Sequence, residues 1–338
     1  MMEKDGGSPF WEPFRGKHVL FLTTKNLDYL RNTQEIEALR AVAASVTVFG
    51  SGSRSYPARL LSLYTKLFFR SLRRFDAVFV GFAPQLVLPF WGWKLRRGLL
   101  GEDFFISLYD TLVDDRKKFK PGSLPARLLH RLDAATLRRA DFITADTRAH
   151  AEFFAREFGA DARKTHVLYL EADRSVYSPR QEPKDPVFEG RFEVLYFGSV
   201  LPLQGVEVVL ECVRLMKNCP FVAFDIIGPV PEREQAECVG CSVRFTPWLS
   251  QLELAKRIAA ADFCLAGHFN AEIEKARRTI PGKAYIYEAM RKPMALGDNP
   301  ANRELFAEDA SHRFVPMGSA EALRRLLLDA AKAAGYGA

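Results

Sequence analysis

The feature that most constrains this chain is a repeated alternation. Short apolar runs, each the length of a buried strand, are separated by segments with helical spacing, and the pattern runs twice. In the first half the runs are residues 17–23 (KHVLFLT), 45–49, 77–81 (AVFVG), 104–108 (FFISL) and 141–145 (DFITA). Helical patterns fall at 33–42, 58–75, 125–139 and 147–158. In the second half, runs at 192–197 (FEVLYF), 222–227 (VAFDII), 243–245, 262–266 (DFCLA) and 293–296 alternate with helices at 206–216, 252–260, 283–290 and 320–334. Strands buried on both faces and joined by helices imply parallel sheets covered on each side. The fold class expected is α/β, with two Rossmann-like domains facing across a cleft.

Residues 171–191 interrupt the alternation with a polar stretch that holds three prolines and no periodicity, as an interdomain linker would. The expected organisation is an N-terminal extension (1–16), a first domain (17–175), a linker (176–191), a second domain (192–320) and a terminal helix (321–338) that could pack back towards the first domain. With 338 residues, 48% hydrophobic and 26% charged, the chain can fill two such cores. The start, MMEKDGGSPFWEPFRGKH, has no apolar segment of a secretory signal, and no uncharged stretch approaches the roughly 20 residues of a membrane-spanning helix. Five cysteines fit a reducing compartment, and the isolated pair Cys238 and Cys241 reads as free thiols on a loop. A cytoplasmic protein is expected, peripheral on the inner face of the cell membrane.

In parallel α/β sheets, ligands bind beyond the carboxyl ends of the strands. Four segments of the second half follow such ends. FGSVLPLQGVE, residues 197–207, places Gly198, Ser199, Gln204 and Gly205 in a strand-to-helix loop. Gly228 ends the next strand. Trp248 lies before a helix start at Ser250; it could wall a nucleobase, although packing within the loop is the more ordinary role. EKARRTIPGKAYIYEAMRKPM, residues 274–294, holds four cations within Lys275–Lys283, three ahead of a Pro-Gly turn and one at the start of the helix that follows it. Arg278 and Lys283 in that position suit an anionic ligand. Glu288, on the following helix, could accept the hydroxyls of a ribose.

These blocks, over about residues 192–306, resemble the C-terminal domain of glycosyltransferase family 4. The resemblance implies the GT-B architecture, a nucleotide-diphosphate sugar donor, retention of anomeric configuration, and no metal or other cofactor. It implies a diphosphate loop at Gly198 and Gly205, cations near the diphosphate at Arg278 and Lys283, and a ribose-binding carboxylate at Glu288. Two positions depart from the family pattern. A second glutamate eight residues before Glu288 is here Ile280, and the lysine before the loop glycine is here Gln204.

The first half resembles the family less closely. Lys25 and Asn26 are the polar candidates of its first loop, which has no glycine. Tyr109 and Asp110 stand where the family commonly has a histidine-aspartate pair, so Asp110 is expected to face the transferred sugar, with Arg116 beside an anionic group. Asp146 or Thr147 could line the same cleft, although for Asp146 the N-cap of the next helix is the more ordinary role. Residues 51–140 carry 17 Lys and Arg against 7 Asp and Glu. That excess points to an anionic membrane surface or a lipid-linked acceptor, and no nucleic-acid motif is present. The segment 58–75 and the motif PFWGWKLRRG, residues 89–98, join aromatic to basic residues. The expectation is a glycosyltransferase acting on a lipid-linked or polysaccharide precursor. The alternatives are a non-catalytic subunit of the same architecture and a nucleotide-sugar epimerase.

Overall fold

The computed structural model describes residues 9–96 and 98–337. The start of the expected N-terminal extension, residues 1–8, lies outside the described residues, as do Arg97 of the PFWGWKLRRG motif and Ala338. The chain forms two compact units, Met1–Glu171 and Ala172–Ala338.

Among the described residues the first unit contains six parallel strands: β1 (His18–Leu22), β2 (Ser45–Phe49), β3 (Ala77–Val80), β4 (Leu99–Asp103), β5 (Phe142–Ala145) and β6 (Thr165–Val167). Their order is β2-β1-β3-β4-β5-β6. The helices are α1 (Leu30–Val42), α2 (Tyr56–Phe69), α3 (Leu88–Leu95), α4 (Leu124–Leu137) and α5 (Arg148–Phe158). Successive strand residues alternate between faces. Leu20, Leu22, Val78 and Val80 therefore pack with Leu63 and Leu67 of α2 and Leu88 and Leu95 of α3. Val19, Phe21 and Phe79 pack on the other face with Ile36 and Leu39 of α1. Trp11 and Phe14, from a short helix within the expected extension, complete that second layer.

β4 corrects the expectation of a strand at 104–108. The strand is LLGED, and FFISL is the loop beyond its end. Its last two residues, Glu102 and Asp103, are fully buried acids, so the run looks too polar to be a central strand. Asp103 is tolerated because Arg31 of α1 donates to both carboxylate oxygens, from Nη2 at 2.9 Å and Nε at 3.2 Å. Strand β6 and helix α3 were not anticipated. Asp146 does not cap α5. Thr147 does, its hydroxyl accepting from the His150 amide at 3.0 Å.

The second unit has strands β7 (Phe192–Phe197), β8 (Val222–Ile227), β9 (Val243–Thr246), β10 (Phe263–Gly267), β11 (Met294–Gly297) and β12 (His312–Val315). All are parallel, in the order β12-β11-β10-β7-β8-β9. Helices α6 (Val206–Leu215), α7 (Glu232–Ala236), α8 (Gln251–Ala260), α9 (Glu274–Arg278), α10 (Gly282–Ala289), α11 (Asn302–Leu305) and α12 (Ala320–Ala333) join or follow them. The terminal helix α12, expected to pack towards the first domain, buries Leu323, Leu326, Leu327 and Ala331 in the core of its own unit, with Val209 and Val213 of α6. Cys238 and Cys241 lie on the loop between α7 and β9 as free thiols, Cys238 buried in the core, and every cysteine is free. Residues 184–188 are tied to this unit. Lys184 donates to Asp262 and to the Tyr336 hydroxyl, and Asp185 accepts from Arg244 at 2.6 Å. Among the described residues no helix is long and apolar enough to cross a membrane.

Candidate functional site

In the second sheet, strand order reverses between β7 and β10, the place where an open parallel sheet leaves a crevice beyond its carboxyl edge. The loop after β7 carries Gly198, Ser199, Gln204 and Gly205. Gly205 is left-handed (φ +70°), which lets the chain turn directly into α6. It also lies against the loop after β10, where a Cβ would stand 2.5 Å from the Asn270 amide nitrogen. Gly228, after β8, packs on this loop so closely that a Cβ would lie 2.1 Å from the Gly198 carbonyl oxygen.

Lys283 comes from the first turn of α10 and reaches the same loop. Its Nζ donates to Gln204 Oε1 at 2.6 Å and lies 4.0 Å from the centre of the Tyr196 ring. The Tyr196 hydroxyl donates to the same Oε1 at 3.0 Å. Gln204 Nε2 is 3.5 Å from the Ser199 hydroxyl. Lys283 is only 5% exposed. Burial disfavours its ammonium form and brings its pKa down to about 7. Lys283 is a sequestered amine whose charge is poised near neutrality, and Arg278, on α9, is half-buried. Among the described residues, no group of three or more His, Cys, Asp or Glu is placed to hold a metal ion.

Glu288 lies on α10 with its side chain half exposed, and His312 of β12 holds it through Nε2 and Oε2 at 2.8 Å. Trp248, after β9, is 76% exposed and so is not a packed loop aromatic. Ile280, where the family pattern has a carboxylate, is buried. The structure thus groups Gly198, Ser199, Gln204, Gly205, Gly228 and Lys283 through direct contacts or close approach. Tyr196 and His312 were not anticipated from the sequence.

In the first unit, strand order reverses between β1 and β3. Lys25, just after β1, lies over the rings of Tyr29 at 5.5 Å and Phe82 at 5.0 Å. Asn26 donates to Asp28 and accepts, through its carbonyl oxygen, from Asn32 Nδ2. Tyr109 sits edge-on to His130, and Arg116 is exposed. Asp110, expected to face a sugar, is instead fully buried, with Oδ2 3.8 Å from His150 Nε2. The other ring nitrogen of His150 is 2.7 Å from Asp146 Oδ1. Burial alone would lower the imidazole pKa, but the two carboxylates outweigh it and hold His150 above its ordinary value. The sequence reading did not single out His150.

Beside it lies a second buried polar cluster. Arg31 joins Asp103 and approaches Glu35 at 3.7 Å, and Thr144 donates to Asp103 at 2.9 Å. Burial, with Asp103 adding to it, pushes the Glu35 carboxyl well above the ordinary carboxylate range. The available signal was on α1, where Arg31, Asn32 and Glu35 share a helical face with Ile36 and Leu39.

Residues 15–171 match the glycosyl transferase 4-like domain family. Both sheets, with their helices, also fit solved two-domain structures. Sucrose-phosphate synthase from Thermosynechococcus elongatus superposes with a TM-score of 0.64 at 14% identity, over 93% of this chain and 90% of that one. The Anabaena protein HepE, solved in complex with UDP-glucose, gives 0.61 at 13% identity, over 95% and 91%. The chain has the GT-B fold. The probable glycosyltransferase WbjE of Pseudomonas aeruginosa is 25% identical over 234 residues, which cover 66% of this chain. The match spans 57% of WbjE's own length.

Proposed function

We propose that this protein transfers a sugar from a nucleotide-diphosphate sugar to an acceptor hydroxyl, with retention at the anomeric carbon. The observation that carries the reading is the meeting of the Lys283 amine with the Gly198–Gly205 loop at the strand-order reversal of the second sheet. A diphosphate placed there would find backbone amides, the start of α10 and one amine able to take up a proton.

As the bond from the anomeric carbon to the diphosphate oxygen breaks, negative charge collects on the leaving group. Lys283 as the ammonium, with Arg278 nearby in sequence, would stabilise that charge. The acceptor oxygen bonds to the anomeric carbon on the same face, and its proton passes to the departing phosphate. Glu288, steadied by His312, would hold the ribose, and Trp248 would offer a stacking face to the base. HepE is described with UDP and with UDP-glucose bound, which makes uridine diphosphate the first nucleotide to test. The basic excess of residues 51–140 favours an anionic acceptor, either lipid-linked or a polysaccharide precursor.

Titration calorimetry with UDP and other nucleoside diphosphates tests the donor site. Glu288→Ala is expected to weaken binding roughly tenfold, the value of a hydrogen-bonded carboxylate. Unchanged affinity removes Glu288 from the ribose, and no binding of any nucleoside diphosphate removes the transferase reading. A second reading, a nucleotide-binding subunit without transfer, is favoured by the buried Ile280 and by Gln204. Nucleotide binding without release of sugar to any acceptor would support it.

A further inference from the structure

We propose that helices α2 and α3 of the first unit form a docking face for an anionic lipid bilayer. The last turn of α2 presents Phe68 and Phe69, which are 66% and 78% exposed. α3 presents Phe90 and Trp93, at 63% and 74%. These residues form a connected patch rather than scattered surface aromatics. Phe68 and Phe69 meet edge-on at 5.0 Å, Phe68 touches Trp91 at 6.5 Å, and Tyr64 packs between the helices on Phe90 at 6.1 Å and Trp91 at 5.7 Å. Lys94 fastens α3 to the end of α2 by donating to the carbonyl oxygens of Leu67 and Phe68. Residues three apart on a helix share a side, so Phe90 and Trp93 lie on one edge of α3. Large apolar side chains grouped on a water-facing surface mark a place where another phase or molecule sits.

Charge selects the occupant. Arg70, Arg73 and Arg74 follow Phe69 directly, all exposed, and Arg96 follows α3. Between residues 53 and 98 the only acid is Asp76, and its carboxylate accepts from the His18 amide. Aromatic side chains beside arginines, with almost no acid among them, match the boundary of an acidic bilayer: rings enter the headgroup layer while guanidinium groups pair with lipid phosphates. A protein partner of complementary sign would be expected to meet mixed charge at the rim of the patch. The face needs no nucleotide, so this inference stands apart from the proposed sugar transfer.

Flotation of the full chain with vesicles tests it, using phosphatidylcholine alone and phosphatidylcholine mixed with phosphatidylglycerol. The expected result is binding to the acidic vesicles only. R70E/R73E/R74E should weaken it by roughly a hundredfold at low salt, given the usual worth of three surface arginines. F68S/F69S/W93S should leave weak, fully salt-reversible binding. K217E/R233E/K332E, with the same charge change on the second unit, should bind as the parent does. Circular dichroism confirms that each variant is folded, and the altered side chains are all exposed. Retention of the arginine variant at parental affinity would overturn the proposal. So would equal loss in the control triple, or a parent protein that ignores acidic vesicles and instead self-associates through this face.

Discussion

Lys283 carries most of the argument at the scale of single residues. An unfolded chain keeps a lysine protonated up to its ordinary pKa of 10.5, whereas burial here brings the folded value down to about 7. Between those limits the unfolded state binds more protons, so stability rises with pH across that window and the full penalty applies below it. Lys283→Met should remove this slope and stabilise the protein near neutral pH by on the order of a few kcal/mol. Urea melts at about pH 6, 8 and 10 check this, and a parent–variant difference that does not change with pH would mean the amine stays charged in place. The same variant should bind UDP roughly tenfold to a hundredfold more weakly, because a charge-assisted contact is lost. At this scale the sequence located Lys283 but not its state. A lysine in a run with Lys275, Arg277 and Arg278 reads as a cation suited to an anionic ligand, and nothing in the run says that it is buried. Only the folded chain brings Tyr196 of β7 and Gln204 of the loop after it to enclose it. Arg277, in the same run, stays exposed, 3.7 Å from Glu274.

At the scale of elements, loops bound by steric contact should be far less forgiving than loops that only turn. Gly228 has φ +155° and packs against the Gly198 carbonyl, whereas Gly122 has φ +78° with open space around it. Gly122→Ala should cost about 1 kcal/mol, the backbone term alone. Gly228→Ala should cost roughly 3 kcal/mol or more and disturb the loop after β7. Equal melting temperatures for the two variants would show that the contact between loops is not structural. Helix α5 provides a second test. His150 has its pKa held above the ordinary value, so its pairing with Asp146 and Asp110 stabilises the fold fully below about pH 6.5 and fades as pH rises through the folded value. His150→Gln should therefore lower the melting temperature more at about pH 5.5 than at about pH 8, and an equal loss at both would make the ring a packing group on Phe154. Elements built from apolar runs were legible: β1, β3, β5, β7 and β8 lie within a residue of their expected places. β4 was not, because Asp103 depends on Arg31, 72 positions away, and local hydropathy cannot report a distant partner.

At the scale of the whole molecule, the repeated alternation was enough to anticipate two sheets, because each half supplies its own strands and its own apolar layer. It did not show how residues 172–191 divide between the halves. That depends on Lys184 and Asp185 finding Asp262, Tyr336 and Arg244 far along the chain, and a polar stretch looks the same whether bound or loose. Two cores in one chain have a consequence for ligand binding. The proposed donor contacts come from the ends of β7, β8 and β9 and from α9 and α10, all within the second unit, and from segments separated by up to about ninety residues. One small molecule that touches them all must slow amide exchange in each together. Hydrogen exchange with saturating UDP should therefore show added protection at residues 198–206, 228–230 and 282–290, while β1 to β3 keep their rates. The three segments already meet, Lys283 on Gln204 and Gly228 on the Gly198 carbonyl, so one ligand held where they converge slows exchange in all three together. Protection confined to one segment would reduce the site to a single loop, and protection found only at the carboxyl edge of the first sheet would move the nucleotide to the other unit.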